Sequence, residues 1–311
     1  MTTDRLRIGT RGSPLALAQA DETRRRLIAA HPALAEAGAI DIVVIKTTGD
    51  NVVDRPLADV GGKGLFTKEI DEALLAGVVD LGVHSTKDMP TILPDGLILA
   101  TVLPRQDPRD VLIAPGARSL RELPANASLG TSSPRRQAQV LALRPDLRVL
   151  PLRGNVQTRL RKVGEGAVGA TLLALAGLRR LGLPDDTGAI LEASEMLPAV
   201  AQGAIGLECR ESDSRVRALI QPLNDGPSFI AITAERAMLA VLDGSCRTPI
   251  GGLAEVDGSR IVLRGLLARP DGSGLWRAER SGAAADAAAI GRDLGAALRA
   301  AAGADYAALT G

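Results

Sequence analysis

The chain has 311 residues, enough for two or three domains, and its 37 lysines and arginines nearly cancel its 36 aspartates and glutamates. A net charge of +1 excludes a uniformly basic nucleic-acid-binding protein, although local basic patches are allowed. Two cysteines and two histidines are too few for a structural zinc site, so no metal centre is expected. The start of the chain lacks the apolar segment of a signal peptide, and no apolar run is long enough to span a membrane, which favours a cytoplasmic protein with free thiols.

Short apolar runs alternate with helical patterns over the first 220 residues, as in α/β domains with mainly parallel sheets. Strands are predicted at residues 6–9, 40–45, 81–84, 97–103, 111–114, 128–130, 148–152, 170–175 and 204–209, with helices between them at 14–30, 67–76, 134–142, 156–163 and 215–220. Beyond residue 226, a helix at 229–242, strands at 250–256, 260–268 and 275–279, and an alanine-rich helix to 301 predict a small α+β domain with an antiparallel sheet.

Two strand ends carry the same pattern of glycine, threonine, serine and proline, at residues 8–14 and 129–134. In each, a serine (Ser13 or Ser133) is a natural N-cap and the proline suits the first helical position. The backbone N–H groups at such a helix start favour an anion. The alternative is that both are ordinary turns between a strand and a helix.

Arginines at these turns favour the anion-binding interpretation. Arg135 and Arg136 lie in the first turn of the second helix, where the helix dipole disfavours cations by about 0.3–1 kcal/mol each. Arg11 occupies the corresponding turn of the first half. We therefore expect a cleft between two α/β lobes that holds a ligand with several negative charges, carboxylates and phosphates being equally allowed.

A basic segment follows at residues 131–162, with eight basic residues against one acid. It includes Arg153 at a strand end and Arg159 on the next helix, and arginine binds carboxylate or phosphate in a two-pronged way. A solvated basic face is the alternative. Nucleic acid is a weaker candidate because the segment has no aromatic residue for base stacking.

Three further segments contain candidate residues. Residues 61–69 (GGKGLFTKE) fit neither nucleotide-binding fingerprint and predict a loop that closes over a site, or a plain flexible turn. Asp88 follows a strand end and is the strongest acid–base or electrostatic candidate, whereas His84 fits a structural role better. Cys209 fits a core position, while Cys246 lies in a turn beside an arginine that favours thiolate, unless it is an idle surface cysteine.

Together these segments resemble the porphobilinogen deaminase (hydroxymethylbilane synthase) family. The resemblance covers nearly the whole chain and is carried by seven strings in order: residues 8–19 (IGTRGSPLALAQ), 61–70 (GGKGLFTKEI), 84–91 (HSTKDMPT), 129–137 (LGTSSPRRQ), 152–160 (LRGNVQTRL), 198–210 (PAVAQGAIGLECR) and 244–251 (GSCRTPIG).

The resemblance implies a monomeric cytoplasmic enzyme of three domains, formed by residues 1–103 with 204–221, by 108–198 and by 226–311. The first two would be lobes like those of periplasmic binding proteins, and the third would attach a dipyrromethane cofactor through a thioether to Cys246. Four molecules of porphobilinogen would be joined head to tail with loss of ammonia, and hydrolysis would release the linear tetrapyrrole. A transient hand-off to the next enzyme of the pathway is also expected, but no nucleic-acid or membrane partner.

The resemblance also assigns roles to residues. Asp88 matches the catalytic aspartate, and Lys63 and Phe66 fall in the lid loop. Cofactor and substrate contacts are implied for Arg11, Ser13, Gln19, Ser85, Lys87, Thr131, Ser132, Ser133, Arg135, Arg136, Arg153, Gly154, Arg159, Arg180 and Gln202. The chain departs from the family pattern at Gly169, where an aspartate is usual, and at Ala201, next to Gln202, where a glycine is common.

A protein of another class would share the two lobes and the anion sites, namely a non-catalytic anion sensor or transport receptor. It would have no use for Cys246 or for a third domain, and a transport receptor would normally carry an export signal.

Overall fold

The computed structural model describes residues 5–51, 64–242 and 248–310. These divide into two compact units, the first formed by residues up to 51, 64–106 and 204–229, and the second by 107–203 and 230–310. Within the described ranges, each helix falls short of the length and apolar character needed to cross a bilayer.

The strands of the described ranges are numbered in chain order: β1 (Leu6–Thr10), β2 (Ile40–Val44), β3 (Leu81–Ser85), β4 (Leu97–Val102), β5 (Asp110–Ile113), β6 (Ser128–Gly130), β7 (Arg148–Leu150), β8 (Ala170–Ala174), β9 (Ala189–Ile190), β10 (Ile205–Arg210), β11 (Ile250–Asp257), β12 (Arg260–Ala268) and β13 (Leu275–Ala283). The α-helices are Pro14–Ala30, Thr48–Asn51, Lys68–Leu75, Pro134–Leu143, Val156–Gly164, Leu175–Arg180, Ser214–Ile220, Gly226–Val241, Ala287–Ala302 and Ala304–Thr310.

The first unit is built on one five-stranded sheet in the order β2-β1-β3-β10-β4. β1 is parallel to β2 and β3, while β10 runs antiparallel to β3 and β4. Leu6, Ile8, Leu207 and Cys209 are fully buried in its aliphatic core. Because β1 and β3 are parallel, the residues that follow their C-terminal ends lie at the same edge of the sheet.

The second unit contains two sheets. One has the order β7-β6-β8-β5-β9, with β6 parallel to its two neighbours and β5 antiparallel to both of its own. The other is an antiparallel meander, β11-β12-β13, covered by the helix Ala287–Ala302. That helix packs closely on the helix Gly226–Val241, because a side chain at Gly291 would collide with the carbonyl oxygen of Ala234.

The predicted α/β fold class with a small antiparallel sheet is confirmed. The two larger sheets were predicted to be mainly parallel, but each is mixed, with two parallel and two antiparallel strand pairings. The predicted strand over residues 170–175 was too long, since β8 ends at Ala174 and the helix Leu175–Arg180 begins at once. That helix and β9 were missed. The helix lacks a side-chain cap and contains a glycine, and β9 has only two residues, so neither carries a local signal.

The two departures from the family pattern lie in different settings. Gly169 is exposed in the turn before β8, where its N–H donates to Ser128 Oγ at 2.9 Å. Ala201 is buried and has a φ of 62°, in the left-handed region that favours glycine. Its N–H donates to the buried carboxylate of Glu235 at 2.6 Å, which holds the strained backbone in place.

Replacing Ala201 with glycine should stabilise the protein. Relief of the left-handed strain is expected to outweigh the lost methyl group and raise the free energy of unfolding by about 1 kcal/mol. Chemical denaturation followed by circular dichroism measures the change. Asn126→Gly is the matched control: Asn126 has a φ of 59°, but asparagine tolerates this region, so its gain should be smaller. A less stable A201G protein would show that side-chain packing dominates at this position.

Candidate functional site

Asp88 lies at the edge of the first sheet. It ends the 3₁₀ turn Thr86–Asp88, which directly follows β3. Asp88 is half-buried, and no described residue forms a hydrogen bond or an ion pair with its carboxylate. Lys87 is exposed beside it. The first unit thus presents an uncompensated negative charge at the C-terminal end of β3.

Ser85 and Gln19 are hydrogen-bonded to each other at the same edge of the first sheet. The Gln19 amide is buried, at 2% exposure, and donates to Ser85 Oγ at 2.8 Å. Ser13 caps the helix Pro14–Ala30 as predicted, with its Oγ accepting from the N–H of Ala16 at 3.2 Å. The strand-to-helix pattern therefore places Ser13 at the helix start and Gln19 next to the end of β3.

Arg11 is paired within the chain. Its guanidinium forms a two-pronged ion pair with Asp50, with one contact of 3.2 Å, and stacks 4.1 Å from the centre of the Phe66 ring. Thr47 Oγ1 also donates to Asp50, at 2.8 Å. Burial alone would raise the pKa of Asp50, but the hydrogen bonds from Arg11 and Thr47 outweigh it and leave that pKa below its usual value.

Asp50 was not among the predicted site residues. Its local signal was an acid shortly after the strand at residues 40–45, which is common in loops. Phe66 reaches Arg11 because it packs against Gly49, where any side chain would collide with the ring. Phe66 therefore lies beside a predicted ligand residue, although its role in a lid stays a prediction.

Arg135 and Arg136 pair with a buried side-chain carboxylate, that of Asp110. Their Nη2 atoms donate to the two carboxylate oxygens of Asp110, each at 2.8 Å. Gln202 Nε2 donates to the same carboxylate at 2.8 Å. Asp110 is fully buried, and both arginines are at least nine-tenths buried. The dipole argument predicted an anion at this helix start, and Asp110 supplies one; ligand binding by these residues stays a prediction.

The electrostatics of this cluster are dominated by the guanidinium groups. Burial alone would raise the pKa of Asp110, but the charges of Arg135 and Arg136 lower it far below its usual value. One carboxylate nevertheless balances only one of the two arginines. Asp110 was not among the predicted site residues, because its only signal in the sequence is a single acid at the start of an apolar strand.

Arg159 is crowded by like charges. Burial, followed by the charges of Arg136 and Arg153, lowers the pKa of Arg159 to about 10. Its Nε donates to the carbonyl of Gly154 at 2.9 Å, and no acidic side chain of the described ranges pairs with it. Gly154 adopts a φ of 116°, which turns the chain from Arg153 into the helix Val156–Gly164. This arrangement leaves a surplus of positive charge that suits carboxylates.

Three of the remaining predicted ligands of the second unit directly precede the helix Pro134–Leu143, and the fourth, Arg180, ends the helix Leu175–Arg180. Ser133 caps the helix Pro134–Leu143, accepting from the N–H of Arg136 at 3.4 Å. Thr131 Oγ1 accepts from the N–H of Ser133 at 3.1 Å, and the exposed Ser132 donates to the carbonyl of Leu152. Arg180 Nη2 donates to the carbonyl of Gly203 at 2.9 Å.

Two predicted residues, Lys63 and Cys246, lie outside the described residues. The other cysteine, Cys209, is fully buried in the core, as expected. Burial, followed by the charge of Asp213, raises its pKa to about 11, so this thiol is not a nucleophile at neutral pH.

Comparison with known proteins gives the family. Residues 6–218 match the family model described as "Porphobilinogen deaminase, dipyromethane cofactor binding domain", and residues 229–300 match the C-terminal domain of the same family. The porphobilinogen deaminase of Nitrobacter winogradskyi is 59% identical over 296 residues, which are 95% of this chain and 93% of that protein. That of Paracoccus denitrificans is 56% identical over 301 residues, covering 97% and 96%.

A solved periplasmic substrate-binding protein from Coxiella burnetii is 17% identical, with 74% of this chain and 96% of that chain covered at a TM-score of 0.42. Both family models together span nearly the whole sequence, and the bacterial relatives match it over almost their full length. The chain therefore belongs to the porphobilinogen deaminase family.

Proposed function

We propose that this chain is a hydroxymethylbilane synthase that joins four molecules of porphobilinogen head to tail, with loss of one ammonia at each step, and then releases the linear tetrapyrrole by hydrolysis. The observation that carries the proposal is the half-buried Asp88 carboxylate, which has no partner among the described residues and lies at a sheet edge. Membership of a transferase family that acts on porphobilinogen supports it.

The residues present fit the dipyrromethane cofactor named by the family model. Pyrrole units of this kind carry acetate and propionate groups, and Arg159 beside Arg136 and Arg153 offers the positive charge that such carboxylates need. We propose that the cofactor is held by these arginines with Arg11, Ser13, Gln19, Ser85, Lys87, Thr131, Ser132, Ser133, Arg135, Gly154, Arg180 and Gln202, and that it is attached through Cys246. When bound, the cofactor supplies the pyrrole carbon that accepts the first substrate unit.

Asp88 would stabilise positive charge on a pyrrole nitrogen of the substrate, both when ammonia leaves and when the next ring attacks. Two opposite unit charges about 4 Å apart attract by about 4 kcal/mol at an effective dielectric of 20, against about 1 kcal/mol in water. The difference of about 3 kcal/mol corresponds to about two decades in rate. A carboxylate already positioned by β3 needs no reorganisation during the step.

Asp88→Asn should therefore bind porphobilinogen but turn it over at least about 100-fold more slowly, because the amide keeps the shape and loses the charge. Turnover is measured by the appearance of tetrapyrrole, and binding by calorimetry. The matched control is Asp95→Asn, which removes an exposed carboxylate nearby and should retain wild-type turnover. Near-normal turnover by D88N would remove Asp88 from the mechanism.

Arg159→Gln should separate binding from stability. Loss of one charged hydrogen bond to a substrate or cofactor carboxylate is worth about 1.5–3 kcal/mol, which lowers kcat/KM about 10- to 100-fold. Unfolding should require as much denaturant as in the wild type, or more, because crowding with Arg136 and Arg153 is relieved.

The control for this variant is Arg161→Gln on the same helix. Arg161 is exposed and pairs with Glu165 four residues away, so its loss should change neither property by more than about 0.5 kcal/mol. An R159Q protein with unchanged kinetics and lower stability would assign Arg159 a structural role only.

The proposed attachment predicts the mass of the purified chain. It should exceed the mass of the sequence by two linked pyrrole units, and Cys246→Ser should lose this excess. Cys209→Ser is the control and should keep it, because the Cys209 thiol is buried and protonated. Intact-mass spectrometry measures all three proteins. An unmodified wild-type chain that ignores porphobilinogen would contradict the proposed function.

We further propose a monomeric cytoplasmic enzyme with the three domains expected from the sequence, which passes its product to the enzyme that consumes it. Sedimentation of the purified chain with and without the consuming enzyme tests both the monomeric state and the transfer.

A further inference from the structure

Three polar side chains are buried together under the end of β3. His84 pairs with Gly206 in the sheet and Glu208 pairs with Gly82, so His84 and Glu208 share one face of β3 and β10. Gly82 provides the space, since a Cβ there would lie 2.7 Å from His84 Nε2. Asp71 enters from the helix Lys68–Leu75, and one polar atom from each of the three residues lies within 4.8 Å of the others.

These groups are almost completely removed from solvent. Asp71 is 5% exposed, His84 4% and Glu208 0%. His84 Nε2 lies 3.0 Å from Glu208 Oε2, and Thr67 Oγ1 donates to Asp71 Oδ2 at 3.3 Å. Asp71 Oδ1 and both oxygens of Glu208 have no hydrogen-bond donor among the described residues. Buried polar atoms without partners are costly, so this cluster is incomplete with both carboxyl groups ionised.

A proton on one of the two carboxyl groups would supply the missing hydrogen-bond donor. Carboxylates only accept hydrogen bonds, whereas a protonated carboxyl group donates one. We propose that Asp71 is protonated in the folded protein and donates to Glu208, and that the cluster of Asp71, Glu208 and His84 positions the end of β3. The part of this proposal that links the strand end to the site residues Ser85, Lys87 and Asp88 rests on the function proposed above.

The charged surroundings favour this protonation state. Burial, followed by the negative charge of Glu208, raises the pKa of Asp71 from 3.8 to about 7. The titratable groups that face Asp71 are Glu208 of β10 and His84 of β3. β4 has no titratable residue, Arg7 of β1 is bound by Asp80, and Arg210 of β10 donates to the carbonyl of Leu74 at 2.6 Å. On the same helix, Glu69 accepts from the N–H of Thr48 at 2.9 Å, and Lys68 and Glu72 are exposed.

The sign of the pH dependence follows from linkage. Unfolded Asp71 releases its proton near 3.8 and the folded group releases it near 7, so the folded state binds an extra proton between these values. Stability from this group is therefore complete at low pH and falls as pH rises through this window. The folding equilibrium constant should fall by up to about tenfold per pH unit.

The test compares two buried aspartates by substitution to asparagine. Asp71→Asn mimics the protonated form and does not titrate. The melting temperature of D71N minus that of the wild type should therefore be larger at pH 8 than at pH 5. Asp80→Asn is the control. Asp80 is 3% exposed and receives Arg7 Nε and Nη2 at 3.0 and 2.8 Å, so its loss should destabilise the protein equally at both pH values. A D71N protein that loses as much stability at pH 8 as D80N would overturn the proposal.

Two measurements on the full chain remain informative if a variant folds poorly. Infrared spectra of the wild type should show a protonated carboxyl band at pH 6 that disappears above pH 8, and its absence at pH 6 would overturn the proposal. Stoichiometric divalent metal in the purified holoenzyme, lost on Glu208→Gln, would also overturn it, because a metal would replace the proton. Neither measurement depends on turnover of porphobilinogen.

The positioning role has its own readout. Deprotonation of Asp71 would set two carboxylates against each other beneath β3, so wild-type turnover should fall as pH rises through about 7. The D71N profile should lack this step, since its amide can still donate to Glu208. An unchanged pH–rate profile in D71N, with the infrared band present, would leave the proton in place and overturn the positioning role.

Discussion

The carboxylate of Asp110 between two guanidinium groups is the interaction on which the second unit depends. Burying Arg135 and Arg136 without a counter-ion would cost several kcal/mol for each, and Asp110 is the buried acid that pairs with both. The same carboxylate accepts from Gln202 and thereby ties the start of the helix Pro134–Leu143 to β5 and to the segment that leads into β10. Because one anion faces two cations, the cluster keeps a net positive charge.

In the first unit the charge that lacks a partner is negative. There Arg11 is neutralised by Asp50, whereas Asp88 has no cation among the described residues. In the second unit, Asp110 leaves one of its two buried arginine partners uncompensated, and Arg159 on the helix Val156–Gly164 lies beside the like charges of Arg136 and Arg153. Asp88 and Arg159 both lack an oppositely charged side-chain partner among the described residues, which is why the proposed function rests on them.

The features that depend on residues close together in the sequence were predicted correctly. The helices after Ser13 and Ser133 begin where a capping serine and a proline predict, and the alternation of apolar runs gave the α/β class. Strand direction was not predictable, because the apolar pattern of β5 is the same in either direction. The partners of Arg11 and Arg136 were missed for a related reason: Asp50 and Asp110 are 39 and 26 residues away, and only the folded sheets bring them together.

Three buried aspartates show why residue type and burial alone do not assign chemistry. Asp110 faces two arginines and Asp80 faces Arg7, so both remain ionised, and the pKa of each is lowered although burial acts in the opposite direction. Asp71 is buried to a similar extent but faces Glu208. Burial raises the pKa of Asp71, and the negative charge of Glu208 raises it further. The charged partner distinguishes these cases, and it comes from a different element each time: the helix Pro134–Leu143 for Asp110, β1 for Asp80 and β10 for Asp71. The pairing of Glu208 with Gly82 places a negative charge beside Asp71 and thereby favours the protonated form of Asp71 below about pH 7.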